Sequence, residues 1–198
     1  MGTRNLTVVV HNQEVKIAQY GQWDGFPDAQ GISILAFLSV ASRVENFKKT
    51  LPKIRFQTEE DVKKQEEYMK SIGCEDGWMT PKQSEKFKKK FPLHHRDTGG
   101  EILEAVLHYG QQEEIVLINA YEFAGDSLFC EWAYIIDFDK NTFEVYRGFN
   151  QTQLTPEDRF YSLSQEDKDY QPVKMIQSFS LDNLPSDDEF IFLCKQKI

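Results

Sequence analysis

Residues able to do chemistry concentrate in one stretch, Gln19-Tyr20-Gly21-Gln22-Trp23-Asp24-Gly25-Phe26-Pro27-Asp28-Ala29-Gln30-Gly31. Its glycines permit backbone conformations that a Cβ forbids, and Asp24-Gly25 and Pro27-Asp28 are turn-forming pairs. Turn chemistry does not require Tyr20, Trp23 and Phe26. Interleaved with Gln22 and Asp24, these rings suit stacking on a planar ligand whose edge is hydrogen-bonded. The same rings would equally pin the loop to a core, with Asp24 capping a turn, and the sequence leaves both readings open.

Arg4, Arg96 and Arg147 lie beside turns or strand ends, apart from the lysine-rich helices. A guanidinium grips carboxylate or phosphate as a fork, although surface ion pairs are the commoner use. Together with Tyr134 they complete the set assigned to an anionic, planar ligand: Arg4, Tyr20, Gln22, Trp23, Asp24, Tyr134 and Arg147.

Other chemistries find less support. His94 and His95 are adjacent and point apart on a regular element, and His11 and His108 stand alone. There is no His-x-x-x-His, His-Glu-x-x-His or Cys/His cluster, so neither a metal nor another cofactor is expected. No Gly-x-Ser-x-Gly elbow or Gly-Lys-Ser/Thr phosphate loop occurs. Glu131 and Asp137 are six apart on a strand, about 20 Å, which is too far for a carboxylate pair. Most of Asp24, Glu131, Asp137 and Asp139 are expected to face solvent, and no catalytic residue is assigned.

These residues need elements to hold them. Asn5–Tyr20 reads as a β-hairpin turning at Asn12-Gln13. Gly31–Ser42 is apolar on nearly every side and reads as one buried helix, whose N-terminus beside the loop would favour an anion. A short helix over Val44–Leu51 stops at Pro52. Thr58 and Thr80-Pro81 start two polar helices, and Asp97 or Thr98 starts an apolar-faced one ending at Gly110. Ile115–Asn119, Leu128–Phe138 and Thr142–Phe149 read as strands, the last two as a hairpin over Asp139-Lys140-Asn141. Asn150–Pro172 reads as a polar flap or insertion, Val173–Leu181 as a further strand and Pro185 onward as a short terminal element. Strands at both ends with helices between argue for an α+β fold built on one mostly antiparallel sheet.

At 198 residues the chain fits a single domain, with 43–96 as a basic helical insertion. Its hydrophobic content of 40% supports a real core, and it shows neither a transmembrane span nor a signal peptide. Three scattered cysteines, Cys74, Cys130 and Cys194, favour free thiols and a cytoplasmic setting. The net charge of −9 divides into +5 over 43–96 and −14 elsewhere. General nucleic-acid binding is therefore disfavoured, while the basic segment suits an acidic partner or a solvated helix face.

Met1-Gly2-Thr3-Arg4-Asn5-Leu6-Thr7 followed by Tyr20-Gly21-Gln22-Trp23-Asp24-Gly25-Phe26-Pro27 resembles a group of uncharacterised bacterial and phage proteins with a Trp/Tyr-Asp-Gly-Tyr/Phe-Pro loop. Glu131-Trp132-Ala133-Tyr134 and Phe143-Glu144-Val145-Tyr146 resemble their hairpin. The likeness spans the first 35 or so residues and Leu128–Phe149, and it implies a family without an activity. More weakly, Thr3-Arg4 and Asp24 resemble the opening of N-terminal-nucleophile amide hydrolases. Gly2 stands where their nucleophile is expected and has no side chain to attack with. Thr3 would serve only after loss of Met1 and Gly2, so this resemblance implies a binding derivative.

The expectation is a non-catalytic protein for a small anionic, nucleotide-like molecule, by resemblance a phage protein sequestering a host defence signal. The alternatives are an amide hydrolase using Thr3 or a cysteine, with Asp24 as helper, and an interaction module using 43–96. Homo-oligomerisation is left open.

Overall fold

The computed structural model describes residues 2–74, 77–94, 98–165 and 168–196. The β-branched run forms strand β1 (Asn5–His11), paired antiparallel with β2 (Glu14–Gly21). Asn12 and Gln13 turn the chain with φ of 56° and 62°, as a tight two-residue hairpin demands. Their N–H groups donate to the Asp139 carboxylate at 2.9 and 2.7 Å, which ties this tip to the tip of the second hairpin.

The second hairpin is β5 (Trp132–Asp137) and β6 (Thr142–Arg147), followed at the sheet edge by β7 (Lys174–Ser180). The five-stranded order is β2-β1-β5-β6-β7. β1 and β5 run parallel at its centre and the other neighbours are antiparallel. The protein is thus α+β with a mostly antiparallel sheet. A separate parallel pair, β3 (Ile54–Phe56) with β4 (Ile115–Leu117), joins the β2 edge through a bridge between Ala18 and Asn119.

Both faces of the sheet are covered. Val9, Ile17, Trp132, Tyr134, Ile136, Phe143 and Val145 face α1 (Ile32–Leu38), α2 (Ala41–Thr50), α5 (Ile102–His108) and α6 (Asp187–Lys195). Leu6, Val8, Ala133, Ile135 and Tyr146 face a layer of loops that contributes Ala124, Cys130, Leu154, Phe160 and Val173. The polar stretch after Asn150 therefore seals half of the sheet rather than standing off it, because Leu154 and Phe160 punctuate its acids.

The single helix expected over Gly31–Ser42 is divided. A turn at Pro27–Gly31 leads into α1, and α2 begins at Ala41 after an extended Val40. Ser39 Oγ donates to the Leu35 carbonyl at 2.8 Å and helps to end α1. The strand expected from Leu128 starts at Trp132, because the Asp126 carbonyl accepts the Phe129 and Cys130 N–H groups in a turn.

α3 (Glu59–Ser71) and α4 (Pro81–Lys90) start on capping boxes, Thr58 with Asp61 and Thr80 with Gln83. α3 buries no residue and α4 only Phe87, whereas Phe47, Leu51 and Ile54 lie in the main core. The basic segment thus begins inside the core, and only its later helices lie outside it. No helix among the described residues is long and apolar enough to cross a membrane.

Candidate functional site

Arg4, Tyr20, Gln22, Trp23 and Arg147 gather at one end of the sheet, where β1 and β5 begin and β2 and β6 finish. Glu131 stands between the two arginines. Its carboxylate accepts the Arg4 backbone N–H at 3.2 Å and lies 3.7 Å from the Arg4 guanidinium. Its carbonyl accepts from Arg147 at 3.2 Å. Each guanidinium also stacks on rings: Arg4 on Phe129 at 4.7 Å, and Arg147 on Trp132 at 4.5 Å and Phe149 at 5.4 Å.

Arg147 makes no ion pair within 4.0 Å among the described residues. Burial pulls its guanidinium below the ordinary arginine value, with Glu131 and Tyr134 opposing that shift. It remains a cation, partly stripped of water and held between two rings.

The Gln22–Gly31 loop closes this end. Gly25 N–H donates to the Thr3 carbonyl at 2.9 Å, and a Cβ at Gly25 would lie 2.8 Å from that oxygen. Asn5 Nδ2 donates to the Trp23 carbonyl at 3.1 Å. Tyr134 is fully buried and donates its hydroxyl to the Gly25 carbonyl at 2.7 Å; burial keeps that phenol far from ionising. Tyr134 therefore anchors the loop from below rather than facing solvent. Tyr20 donates to Gln22 Oε1 at 2.6 Å and packs edge-on to Phe123. Trp23 and Phe26 are 49% and 47% exposed. The two readings of the loop thus divide among its rings, Tyr20 pinning it while Trp23 and Phe26 point outward.

Removing the anchor is measurable. In Tyr134→Phe the Gly25 carbonyl loses its buried donor, which lowers stability by about 1–3 kcal/mol. Faster amide exchange over Gln22–Gly31 than over β5 is the expected signature.

Asp24 does not join the arginines. It is exposed, its side chain makes no hydrogen bond or ion pair among the described residues, and its φ is 52°. Phe149, whose ring covers Arg147, has a φ of 55°. Among the described residues the other non-glycine positions with positive φ, Asn12, Gln13 and Asn141, belong to hairpin turns. Unfavourable backbone at Asp24 and Phe149 marks this end as held in a demanding conformation. Arg96, His95 and Asp97 lie outside the described residues.

A second set of residues escaped notice in the sequence. On the helix-facing side of the same end, Asn5, Thr7, Gln19 and Trp132 are at most 4% exposed. Among the described residues Asn5 Oδ1, Thr7 Oγ1, Gln19 Oε1 and Trp132 Nε1 have no hydrogen-bond partner, nor have Gln30 Nε2 and Arg4 Nε nearby. Register makes them neighbours, since Asn5 pairs with Trp132 and Gly21, and Thr7 with Gln19. Polar residues alternating with Leu6 and Val8 on β1 were the available sign.

Hydrolytic chemistry gains little here. The Thr3 hydroxyl makes no hydrogen bond to a base among the described residues, and Gly2 packs under the Trp23 ring. The three cysteines are free and buried, and burial pushes the Cys194 thiol up to about 12. The largest cleft described, about 530 Å³, lies elsewhere, between Lys88 of α4 and the Glu101, Glu104 and His108 side of α5. Its lining mixes acids with bases and so offers no single charge to a ligand. No protein-family model, curated protein or solved structure matches this chain.

Proposed function

We propose that this end of the sheet binds a small anionic molecule with a planar group, and that the protein acts by holding that molecule rather than transforming it. The observation that carries the reading is Arg147: half-buried, against the rings of Trp132 and Phe149, and without an ion pair within 4.0 Å among the described residues, Glu131 acting on it only from farther off. A desolvated cation of this kind gains from an incoming anion. Exposed Phe129, Phe149 and Trp23 supply faces for a planar group. The further step, to a phage protein that sequesters a host nucleotide signal, rests on the resemblance of the loop alone.

Calorimetric titration with inorganic phosphate and the four nucleoside monophosphates tests the reading. Arg147→Met is expected to weaken binding by about tenfold or more, and Arg147→Lys not to restore it, because an ammonium lacks the planar fork. Equal affinity in wild type and Arg147→Met would refute the assignment.

A second reading has its own observation. Lys82, Lys86, Lys88, Lys89 and Lys90 of α4 are exposed and form no ion pair among the described residues, and Trp78 just before them is 81% exposed. Such a helix suits an acidic protein partner. Replacing the five lysines by glutamine should abolish salt-sensitive capture of that partner without lowering the melting temperature; unchanged capture would remove this reading.

A further inference from the structure

The unpartnered polar atoms beneath the loop are not scattered. Native proteins leave few buried polar groups unpaired, and each unpaired group costs stability. Here they crowd one layer, in strands that are otherwise apolar on that side. The amide nitrogens of Asn5 and Gln19 are already engaged, donating to the carbonyls of Trp23 and Tyr20 at 3.1 and 2.8 Å. What remains is a pair of carbonyl acceptors, Asn5 Oδ1 and Gln19 Oε1, with the Thr7 hydroxyl between them and the Trp132 indole N–H alongside.

The roof over this layer is built for close approach. The Gly99–Glu101 turn lies against β1 and β2, and a Cβ at Gly99 would come within 3.7 Å of Gly21 Cα. A Cβ at Gly100 would run into the Gln30 amide, whose Nε2 is itself unpartnered. Trp132 joins the two levels, presenting its ring to Arg147 and its N–H to the polar floor.

We infer that Asn5, Thr7, Gln19 and Trp132 form a buried recognition floor for the hydrogen-bonding edge of a nucleobase, reached when the Gln22–Gly31 loop lifts and Gln30 parts from the Gly99–Glu101 turn. This rests on the proposed binding of an anion at Arg147, which takes the phosphate on the other side of the Trp132 ring. With the loop lifted, Asn5 Nδ2 is released beside Asn5 Oδ1, Gln19 Oε1 and Trp132 Nε1, and this mixed set of donors and acceptors complements the planar N–H and acceptor edge of a base. Such a site rejects analogues lacking those groups, because its own buried atoms then stay unpaired. The loop fits the part of a cover: its carbonyls at Trp23 and Gly25 are held by Asn5 and Tyr134, two bonds that break together as it opens.

The test uses the full chain, isothermal titration, and two probes: a nucleoside monophosphate panel and ribose 5-phosphate. Thr7→Val keeps the side-chain shape and removes only a hydroxyl without a partner, so it folds and its melting temperature rises. At least one nucleoside monophosphate is expected to bind about tenfold tighter than ribose 5-phosphate, and Thr7→Val to erase that difference while leaving ribose 5-phosphate affinity unchanged. If Thr7→Val binds the nucleotide as wild type does while Arg147→Met loses it, the floor is refuted and the anion site stands. Should Thr7→Val lose the base preference while Arg147→Met binds normally, the floor stands and the anion site falls. Failure of every nucleoside monophosphate to bind overturns both.

Discussion

Replacing Arg159 by methionine is expected to destabilise the protein by about 3–5 kcal/mol, the usual cost of leaving buried charge unpaired. Arg159 reaches from the loop layer onto the sheet and donates to Glu144 at 2.8 and 2.9 Å and to Asp137 at 2.6 Å. Tyr146 and Thr142 also donate to Glu144, and the Asp139 and Lys140 N–H groups to Asp137. The side chains of Asp137 and Glu144 are 2% and 6% exposed, so without Arg159 two carboxylates face each other nearly dry.

The pH dependence has a definite sign. Burial works to raise the Asp137 pKa, but the Arg159 hydrogen bond and the backbone N–H groups hold it below the ordinary 3.8. A depressed folded value gives stability that is present above that pH and lost as acid protonates the folded carboxyl. Wild type should therefore weaken below about pH 4. In Arg159→Met the Asp137 carboxyl loses the hydrogen bond that holds its pKa down and protonates more readily, so the gap between the two proteins narrows from pH 7 to pH 4. Urea denaturation at both values measures this. A gap that is small at pH 7, or wider in acid, would contradict the account.

Gly148→Ala is expected to cost about 1–3 kcal/mol or more, and to impair ligand binding as well. A Cβ there would strike the Cys130 carbonyl and lie 2.6 Å from the Ser127 carbonyl, both backbone atoms that cannot swing aside. Gly148 N–H donates to Glu131 and Phe149 N–H to Ser127, so relief must come from parting the 127–131 turn from the end of β6. That movement displaces Glu131 and Phe129 from Arg4 and Phe149 from Arg147. Thermal melts and the phosphate titration together check it. A variant that melts lower but binds normally would show that the ring–arginine contacts tolerate the shift.

Local signals carried far in this chain. Period-two alternation and the Asn12-Gln13 and Asp139-Lys140-Asn141 turns placed both hairpins, and Thr58 and Thr80 started their helices as their cap chemistry demands. Arg4, Tyr20, Trp23 and Arg147 were chosen for type and position, and they do share one end of the sheet. What stayed hidden was non-local. Nothing near Arg159 shows that it meets Asp137 and Glu144, so Asp137, one of a group of acids expected mostly in solvent, turns out buried. The sequence around Asn5, Thr7 and Gln19 did not show the burial that the covering helices give that side. Tyr134 resembled a ligand contact, but only the parallel partner strand and the loop above it make it an anchor.

The parallel pairing of β1 with β5 sets an order of events for the nascent chain. Arg4 and Glu131, which meet where these strands begin, are 127 residues apart in sequence. Closing so long a loop costs entropy before any sheet contact repays it. The first hairpin leaves the ribosome early and has no central neighbour until β5 follows. Until β5 has been made, the β1 edge of that hairpin stays unpaired and open to non-native strand pairing.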